Sequence, residues 1–169
     1  MKGFATYDIP VSPHVRKYLV NKFGEDYEVS QLDLLGMIII LMLSKKFKVN
    51  KKPAKITDSH KSEVYRISIS YEYFEKQGFY LELEQLRLIG RACEKYFREM
   101  LFGHVLVNSL DQPKHRMKSI VQFCEAHNIS IEDVDPMTLY RGFYRQNEAG
   151  KVNKTTNVGA GQSAKELVS

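Results

Sequence analysis

The feature that most constrains the fold is the stretch 64–107, where an alternating residue pattern gives way to a long helical one. Alternation with period two places one set of side chains toward a core and the other toward solvent or a ligand, as in a half-buried β-strand. The apolar set is Tyr65, Ile67 and Ile69, and the polar set is Arg66, Ser68 and Ser70. We expect this strand and the helix after it to build the core.

A long helix is predicted from about Glu82, because apolar residues recur there at helical spacing while charged residues fall on the opposite side. Glu82 and Glu84 complement the positive end of the helix dipole. Between strand and helix, Ser70 is expected to cap a short helix that Gly78 ends. The predicted buried stripe is Leu86, Ile89, Cys93, Tyr96, Phe97, Met100 and Val107, and the charged side includes Arg87, Arg91, Lys95 and Arg98.

The N-terminal part predicts a further strand and a helix. Residues 4–9 have weak strand character and are a candidate edge partner for the central strand. Ser12 followed by Pro13 is a typical helix start, since a serine hydroxyl can cap the helix and proline fits its first position. Gly24 is expected to end this helix.

The run Leu34–Leu43 is apolar on all sides but falls short of the roughly 20 residues that cross a membrane. It follows Ser30 and Asp33, which together resemble a capping box, so we expect a helix buried in the core or at a subunit interface. Together the elements predict a mainly α fold with a small β element (α+β). Its helical core surrounds a long central helix, and its sheet is expected to be a two- or three-stranded antiparallel sheet or hairpin.

The length of 169 residues predicts one globular domain, which we expect over residues 1–147. From residue 148 the chain is rich in Gly, Asn, Thr, Ser and Lys, too polar to offset the entropy of ordering, so 148–169 is predicted to be a disordered tail. Cys93 and Cys124 lie on apolar helical faces, and neither an apolar leader nor a membrane span is visible. We therefore expect free thiols in a cytoplasmic protein without a membrane partner.

A lysine-rich segment at 44–63 separates the apolar helix from the central strand, with seven lysines between residues 44 and 61. One interpretation is a solvated loop or hairpin whose lysines keep the chain soluble. The other is a flexible basic arm that contacts phosphates, in keeping with the net charge of +5. The two interpretations have about equal weight.

Two basic helices are predicted near the C-terminal end. Pro113 opens the first, and Lys114 and Arg116 lie in its first turn, where cations oppose the helix dipole and so suggest an anion-binding role. Pro136 opens the second, which carries Arg141 and Arg145, with Leu139 and Phe143 as its expected buried anchors. The pair resembles a helix-turn-helix unit with a longer connection than the standard turn. The alternative is two packed helices with a solvated basic face.

Catalytic and metal-binding patterns are weak throughout. Cys124 and His127 are spaced like two zinc ligands, but no second ligand pair stands at a recognisable spacing. Glu132, Asp133 and Asp135 are better explained as helix-start chemistry than as an acid–base or magnesium site. No glycine-rich phosphate loop occurs. We therefore predict that the chain is not an enzyme and needs no cofactor.

Two resemblances bear on function. The segment 65–100, a strand with alternating polar residues followed by helices split at Gly78, resembles the ribbon-helix-helix fold. That resemblance implies a dimer that presents Arg66, Ser68 and Ser70 to the DNA major groove. The segments IPVSPHVRKYL and YFEKQGFYLELEQ are similar to small proteins of prophages and mobile elements that are considered DNA-binding. No active site is implied.

The leading hypothesis is a regulatory or architectural DNA-binding protein, with RNA as an alternative ligand and a homodimer as the expected state. The second hypothesis is a phage or mobile-element assembly protein that uses its apolar helices for subunit contacts. The residues expected to contact nucleic acid are Lys45, Lys46, Lys48, Lys51, Lys52, Lys55, Arg66, Ser68, Lys114, Arg116, Arg141 and Arg145.

Overall fold

The computed structural model describes residues 3–43, 63–74, 81, 83–110 and 112–159. In chain order the elements are β1 (Phe4–Val11), α1 (Pro13–Phe23), β2 (Asp26–Glu28), α2 (Leu34–Leu43), β3 (Glu63–Ser70), α3 (Tyr71–Phe74), α4 (Leu83–Asn108), a 3-10 turn (Pro113–His115), α5 (Arg116–Ala126) and α6 (Pro136–Gly159). The fold is mainly helical with one small sheet, which confirms the predicted α+β class.

The sheet has the strand order β1-β3-β2, with β3 in the centre. β1 pairs antiparallel with β3 along its whole length, as predicted for residues 4–9, but β2 pairs parallel with β3. The expectation of a purely antiparallel sheet was therefore wrong. The parallel pair arises because the connection from β2 to β3 contains α2, and parallel strands need a crossover of this kind.

The core lies between the inner face of the sheet and α4, which contacts β1, α1, α2 and α5. Ile67 and Ile69 on β3 are completely buried, as the alternation predicts, and Cys93 and Phe97 of the long helix belong to the same core cluster. Both cysteines are buried free thiols, as expected. The long central helix is thus confirmed as the element around which the core is built.

The buried stripe of α4 departs from the prediction at its C-terminal end. Val107 is 69% exposed, whereas Val105 is completely buried. The buried residues Phe97, Leu101 and Val105 follow one another at intervals of four. Position 107 therefore lies on a different face of α4, away from the neighbouring helix.

The start of α1 is built differently from the prediction. Gly24 ends the helix at a φ of 91°, as expected. Ser12 precedes Pro13, but its side chain makes no cap hydrogen bond within α1. Both the N–H and the hydroxyl of Ser12 donate instead to Oε1 of Glu94 on α4. A carboxylate is a stronger acceptor than a neutral group, which explains why the hydroxyl turns outward from its own helix.

Asp33, rather than Ser30, caps α2. Its Oδ1 accepts a hydrogen bond from the Gly36 N–H at 2.9 Å, while the Ser30 hydroxyl accepts one from the Leu32 N–H at 3.1 Å. The helix begins at Leu34, so Asp33 occupies the capping position. The capping residue of α2 therefore lies at position 33, three residues after the serine that the predicted capping box placed there.

The C-terminal helices keep their predicted anchors, since Leu139 and Phe143 are buried. Asp135 accepts a hydrogen bond from the Met137 N–H at 2.9 Å, which confirms helix-start chemistry for this carboxylate. The α6 backbone passes residue 148 and ends at Gly159, and residues 160–169 lie outside the described part of the chain. No helix among the described residues combines the length and apolar character that crossing a bilayer requires.

Candidate functional site

The predicted nucleic-acid contacts fall into three groups. The six lysines of the basic segment, from Lys45 to Lys55, lie outside the described residues. Arg66 and Ser68 belong to the sheet. The remaining residues, Lys114, Arg116, Arg141 and Arg145, belong to the 3-10 turn, α5 and α6.

The outer face of the sheet is more acidic than basic. Arg66 lies between Asp8 and Asp26 on the flanking strands, with its guanidinium nitrogens 3.3 and 3.9 Å from their carboxylates. Ser68 shares a hydrogen bond with Thr6, and Glu28 stands opposite it on β2. Three exposed carboxylates therefore surround one arginine, and this face repels phosphates.

The central position of β3 bears on the dimer that the ribbon-helix-helix resemblance implies. Both edges of this strand are hydrogen-bonded within the chain over Arg66–Ser68, to β1 on one side and β2 on the other. Pairing with β3 of a second copy would require one of these strands to leave.

An arginine–aromatic stack connects α5 to α6. The Arg116 guanidinium carbon lies 5.6 Å from the ring centroids of both Phe143 and Tyr144. Tyr140 packs against Tyr144 with their centroids 5.0 Å apart. Because Arg116 is held in this stack, it positions the Tyr144 ring at the surface, where that residue is 39% exposed. Lys114 is exposed nearby in sequence, in the preceding 3-10 turn.

Arg141 and Arg145 stand one turn apart on α6, and both are exposed. Neither forms a hydrogen bond or ion pair with another described residue. We call the exposed strip of Arg141, Tyr144 and Arg145 the α6 ridge. Its two guanidinium groups are available to an external anion.

Beside the α6 ridge lies a groove of about 640 Å³. Its walls come from the start of α1, the middle of α4, the turn before α6, and α6 itself. The lining residues are Ser12, Pro13, His14, Glu94, Arg98, Phe102, Asp133, Val134, Thr138, Leu139, Gly142, Arg145 and Gln146. We call this space the α1–α6 groove.

The two carboxylates of the groove are occupied by internal partners. Glu94 accepts both hydrogen bonds from Ser12. Asp133 accepts from Lys17 Nζ at 2.6 Å and from the N–H and hydroxyl of Ser130 at 2.7 Å. Burial opposes ionisation of Asp133, but the hydrogen bonds from Lys17 and Ser130 outweigh it and hold the pKa of this carboxyl below its usual range.

The two arginines of the groove have no such partners. Arg98 and Arg145 form neither a hydrogen bond nor an ion pair with any other described residue. Lys17 offsets the charge of Asp133, whereas Glu94 keeps its charge because both donors of Ser12 are neutral. Counted with Lys17, three cations stand against two carboxylates at the α1–α6 groove, so one positive charge is in excess.

His14 forms part of the groove wall between these charges. Its ring packs edge-on against Phe97 with centroids 5.1 Å apart, and its Nδ1 is buried without a hydrogen-bond partner. Burial lowers the pKa of His14, and Arg98 lowers it further, against the opposing influence of Glu94 and Asp133. The imidazole is therefore neutral at pH 7 and adds no charge to the groove.

Sequence reasoning placed Arg98 only on the charged side of α4 and did not connect it with α6. No periodic signal could have done so, because Arg98 and Arg145 line one groove only through tertiary packing, with two elements between them in the chain. His14, in the first turn of α1, is another residue of the groove that no sequence pattern singled out, and it is partly buried against Phe97.

In comparisons with known proteins, no family model, no curated protein and no solved structure matches the chain.

Proposed function

We propose that the chain is a nucleic-acid-binding protein that contacts its ligand through the α6 ridge. The observation that supports this proposal is a pair of guanidinium groups, those of Arg141 and Arg145, that lie one turn apart and have no partner among the residues the structure describes. They flank a tyrosine that is stacked on Arg116. Guanidinium groups bind phosphates with two parallel hydrogen bonds, and exposed aromatic rings stack on nucleobases.

The proposal differs from the sequence hypothesis in where it places the contacts. Arg66 and Ser68 are left out, because three carboxylates surround them on the sheet face. Arg116 becomes a support for Tyr144 rather than a direct phosphate ligand. The exposed Lys114 is retained as an auxiliary contact. Duplex DNA, contacted through its phosphates, is the primary ligand. RNA and single strands, whose unpaired bases can stack on Tyr144, are the alternatives.

Fluorescence anisotropy with a labelled duplex at two salt concentrations tests the proposal. Arg141→Gln should weaken binding, whereas Arg66→Gln, which also removes one positive charge, should leave it unchanged because Arg66 faces Asp8 and Asp26. Equal losses in the two variants would assign binding to net charge alone and refute a role for the ridge. Absence of binding by the unmodified protein at low salt would also refute the proposal.

A second candidate function, assembly with further copies, is favoured by one observation on α2. Leu34, Met37 and Leu41 share one face of this helix and are 51, 45 and 66% exposed, while Leu35 and Ile39 on the other face are completely buried. An exposed apolar stripe of this kind is typical of an interaction surface.

Light scattering tests the second candidate. The substitution Leu41→Asp should dissociate a homodimer held together by α2, because burying a carboxylate without a partner in the interface costs free energy. Ile131→Asp serves as the matched control, since Ile131 is 75% exposed and lies in a turn away from α2. A chain that is monomeric before substitution excludes this candidate.

A further inference from the structure

We infer that the α1–α6 groove is a binding site for a small organic monophosphate, a phosphate ester that carries an apolar group. The inference stands on the shape and charge of the groove itself and does not require the proposed nucleic-acid function. It shares Arg145 with the α6 ridge, whereas Arg98 and Gly142 belong to the groove alone.

The groove has the size and the mixed lining of a small-molecule site. Its volume of about 640 Å³ falls inside the range of about 300–1,000 Å³ that ligand pockets occupy. Phe102, Val134 and Leu139 supply apolar surface. The Phe102 ring is held edge-on by Phe143 with centroids 5.4 Å apart, so this surface is formed without a ligand. An apolar group therefore has a ready contact area inside the groove.

The charge in the groove selects the polar part of the ligand. The hydrogen-bonding capacity of Glu94 and Asp133 is taken up by Ser12, Lys17 and Ser130, whereas Arg98 and Arg145 have no hydrogen-bond or ion-pair partner within the described part of the chain. A phosphate monoester can accept paired hydrogen bonds from each of these two guanidinium groups. The N–H of Ser12 at the start of α1 is already bonded to Glu94, so the arginines rather than the helix end supply the anion contacts.

Gly142 keeps the groove open along α6. A β-carbon at this position would meet only the Phe102 ring edge, at 3.9 Å, so nothing in the packing of the helix excludes a side chain here. A longer side chain would extend into the space that we assign to the ligand. Gly142→Leu is therefore a variant that fills the site while it leaves α6 helical.

Titration calorimetry with phenyl phosphate and with inorganic phosphate tests the inference. Phenyl phosphate should bind more tightly, because only it carries an apolar group. Arg98→Gln and Gly142→Leu should each weaken its binding about 10-fold or more, as expected for a lost charged hydrogen bond or a filled site. Two variants serve as matched controls. Lys95→Gln removes one exposed charge from the same helix as Arg98→Gln does. Gly103→Leu adds a side chain at a helical glycine whose β-carbon would meet nothing within 4 Å.

Three results overturn the inference: no heat of binding at millimolar phenyl phosphate, equal affinity for inorganic phosphate, or losses in the controls as large as those in Arg98→Gln. Far-UV circular dichroism of each variant confirms that α6 and α4 are intact. If Gly142→Leu proves to be unfolded, Arg98→Gln alone decides between the outcomes.

Two kinds of molecule carry a phosphate monoester next to an apolar group: a free ester of the size of a mononucleotide, and the phosphorylated end of a nucleic-acid strand. Adenosine monophosphate represents the first, and an oligonucleotide with and without a 5′-phosphate represents the second. Weaker binding of the phosphorylated strand by Arg98→Gln, with no change for the unphosphorylated strand, assigns the strand end. Arg141→Gln should leave phenyl phosphate binding unchanged, so failure of the ridge proposal and failure of the groove site give different results.

Discussion

Glycines at two helical positions of this chain have opposite surroundings. A β-carbon on Gly36 would collide with the Ser30 carbonyl oxygen and lie 2.7 Å from the Tyr27 hydroxyl. A β-carbon on Gly103, in the exposed part of α4, would meet nothing within 4 Å. The first glycine is required by close packing, and the second only adds flexibility to its helix.

The two alanine variants should therefore change stability in opposite directions. Gly36→Ala should lower the free energy of unfolding by about 1–3 kcal/mol, the usual range for overpacking. Gly103→Ala should raise it by about 0.5–1 kcal/mol, because alanine restricts the unfolded chain and favours the helix. Urea denaturation of both variants checks this, and a shift of the same sign in both would contradict it.

Asp133 gives stability a dependence on pH. Its pKa is held down in the folded state, chiefly by Lys17 and Ser130 against the effect of burial, so the unfolded chain takes up this proton at higher pH than the folded chain. The contribution is complete above the unfolded pKa of about 3.9 and is lost as the pH falls through the folded pKa. Asp133→Asn should therefore reduce the loss of unfolding free energy between about pH 6 and pH 2. A variant with an unchanged pH profile in urea denaturation would be evidence against this role.

At the level of elements, α1 depends on a residue far away in sequence for its start. Glu94 accepts both donors of Ser12, so the cap of α1 is supplied by α4 and ties the two helices together. A hydrogen bond to a carboxylate of this kind contributes about 1.5–3 kcal/mol.

Loss of this remote cap should be visible in a double-mutant cycle. Glu94→Ala should destabilise the protein by about 1–3 kcal/mol, more than Ser12→Ala does, because the alanine at position 12 still donates its N–H to Glu94. The two substitutions should show a coupling energy of about 0.5 kcal/mol or more in thermal or urea unfolding. Additive effects would mean that Ser12 and Glu94 act separately.

Helices and strands whose apolar residues recur at a regular spacing were predictable from the sequence. Very short elements, and features that depend on contacts between distant residues, were not. The alternation around Ile67 fixes the buried face of β3, and the spacing from Ile89 to Phe97 fixes that of α4. β2 has only three residues, too few for any period to show, and its parallel pairing depends on the crossover through α2. The α1–α6 groove depends on tertiary contacts between α4 and α6, such as that of Phe102 with Phe143, which no local pattern records.

On the scale of the whole molecule, the described charges are divided between two surfaces. The outer sheet face holds Asp8, Asp26 and Glu28 around one arginine, whereas the α6 ridge and the groove hold Arg141, Arg145 and Arg98 without partners. The net charge of +5 alone could not predict this division, which requires the folded arrangement.

This division predicts how the proposed DNA binding responds to salt. Each phosphate contact that is lost reduces the slope of log K against log salt concentration by about 1. Arg141→Gln should lower that slope by about 1, and Arg66→Gln should not change it. Anisotropy titrations over a series of salt concentrations measure the slope, and identical slopes in all three proteins would place the phosphate contacts elsewhere.

The order of the strands also has a consequence for synthesis on the ribosome. β1 and β2 are both made before β3, yet each forms its sheet hydrogen bonds only with β3. No two of the described strands can therefore pair before β3 is made, and the sheet assembles only once residues 63–70 emerge. Until then, the apolar side chains of β1 lack the strand beside which they are buried in the folded protein.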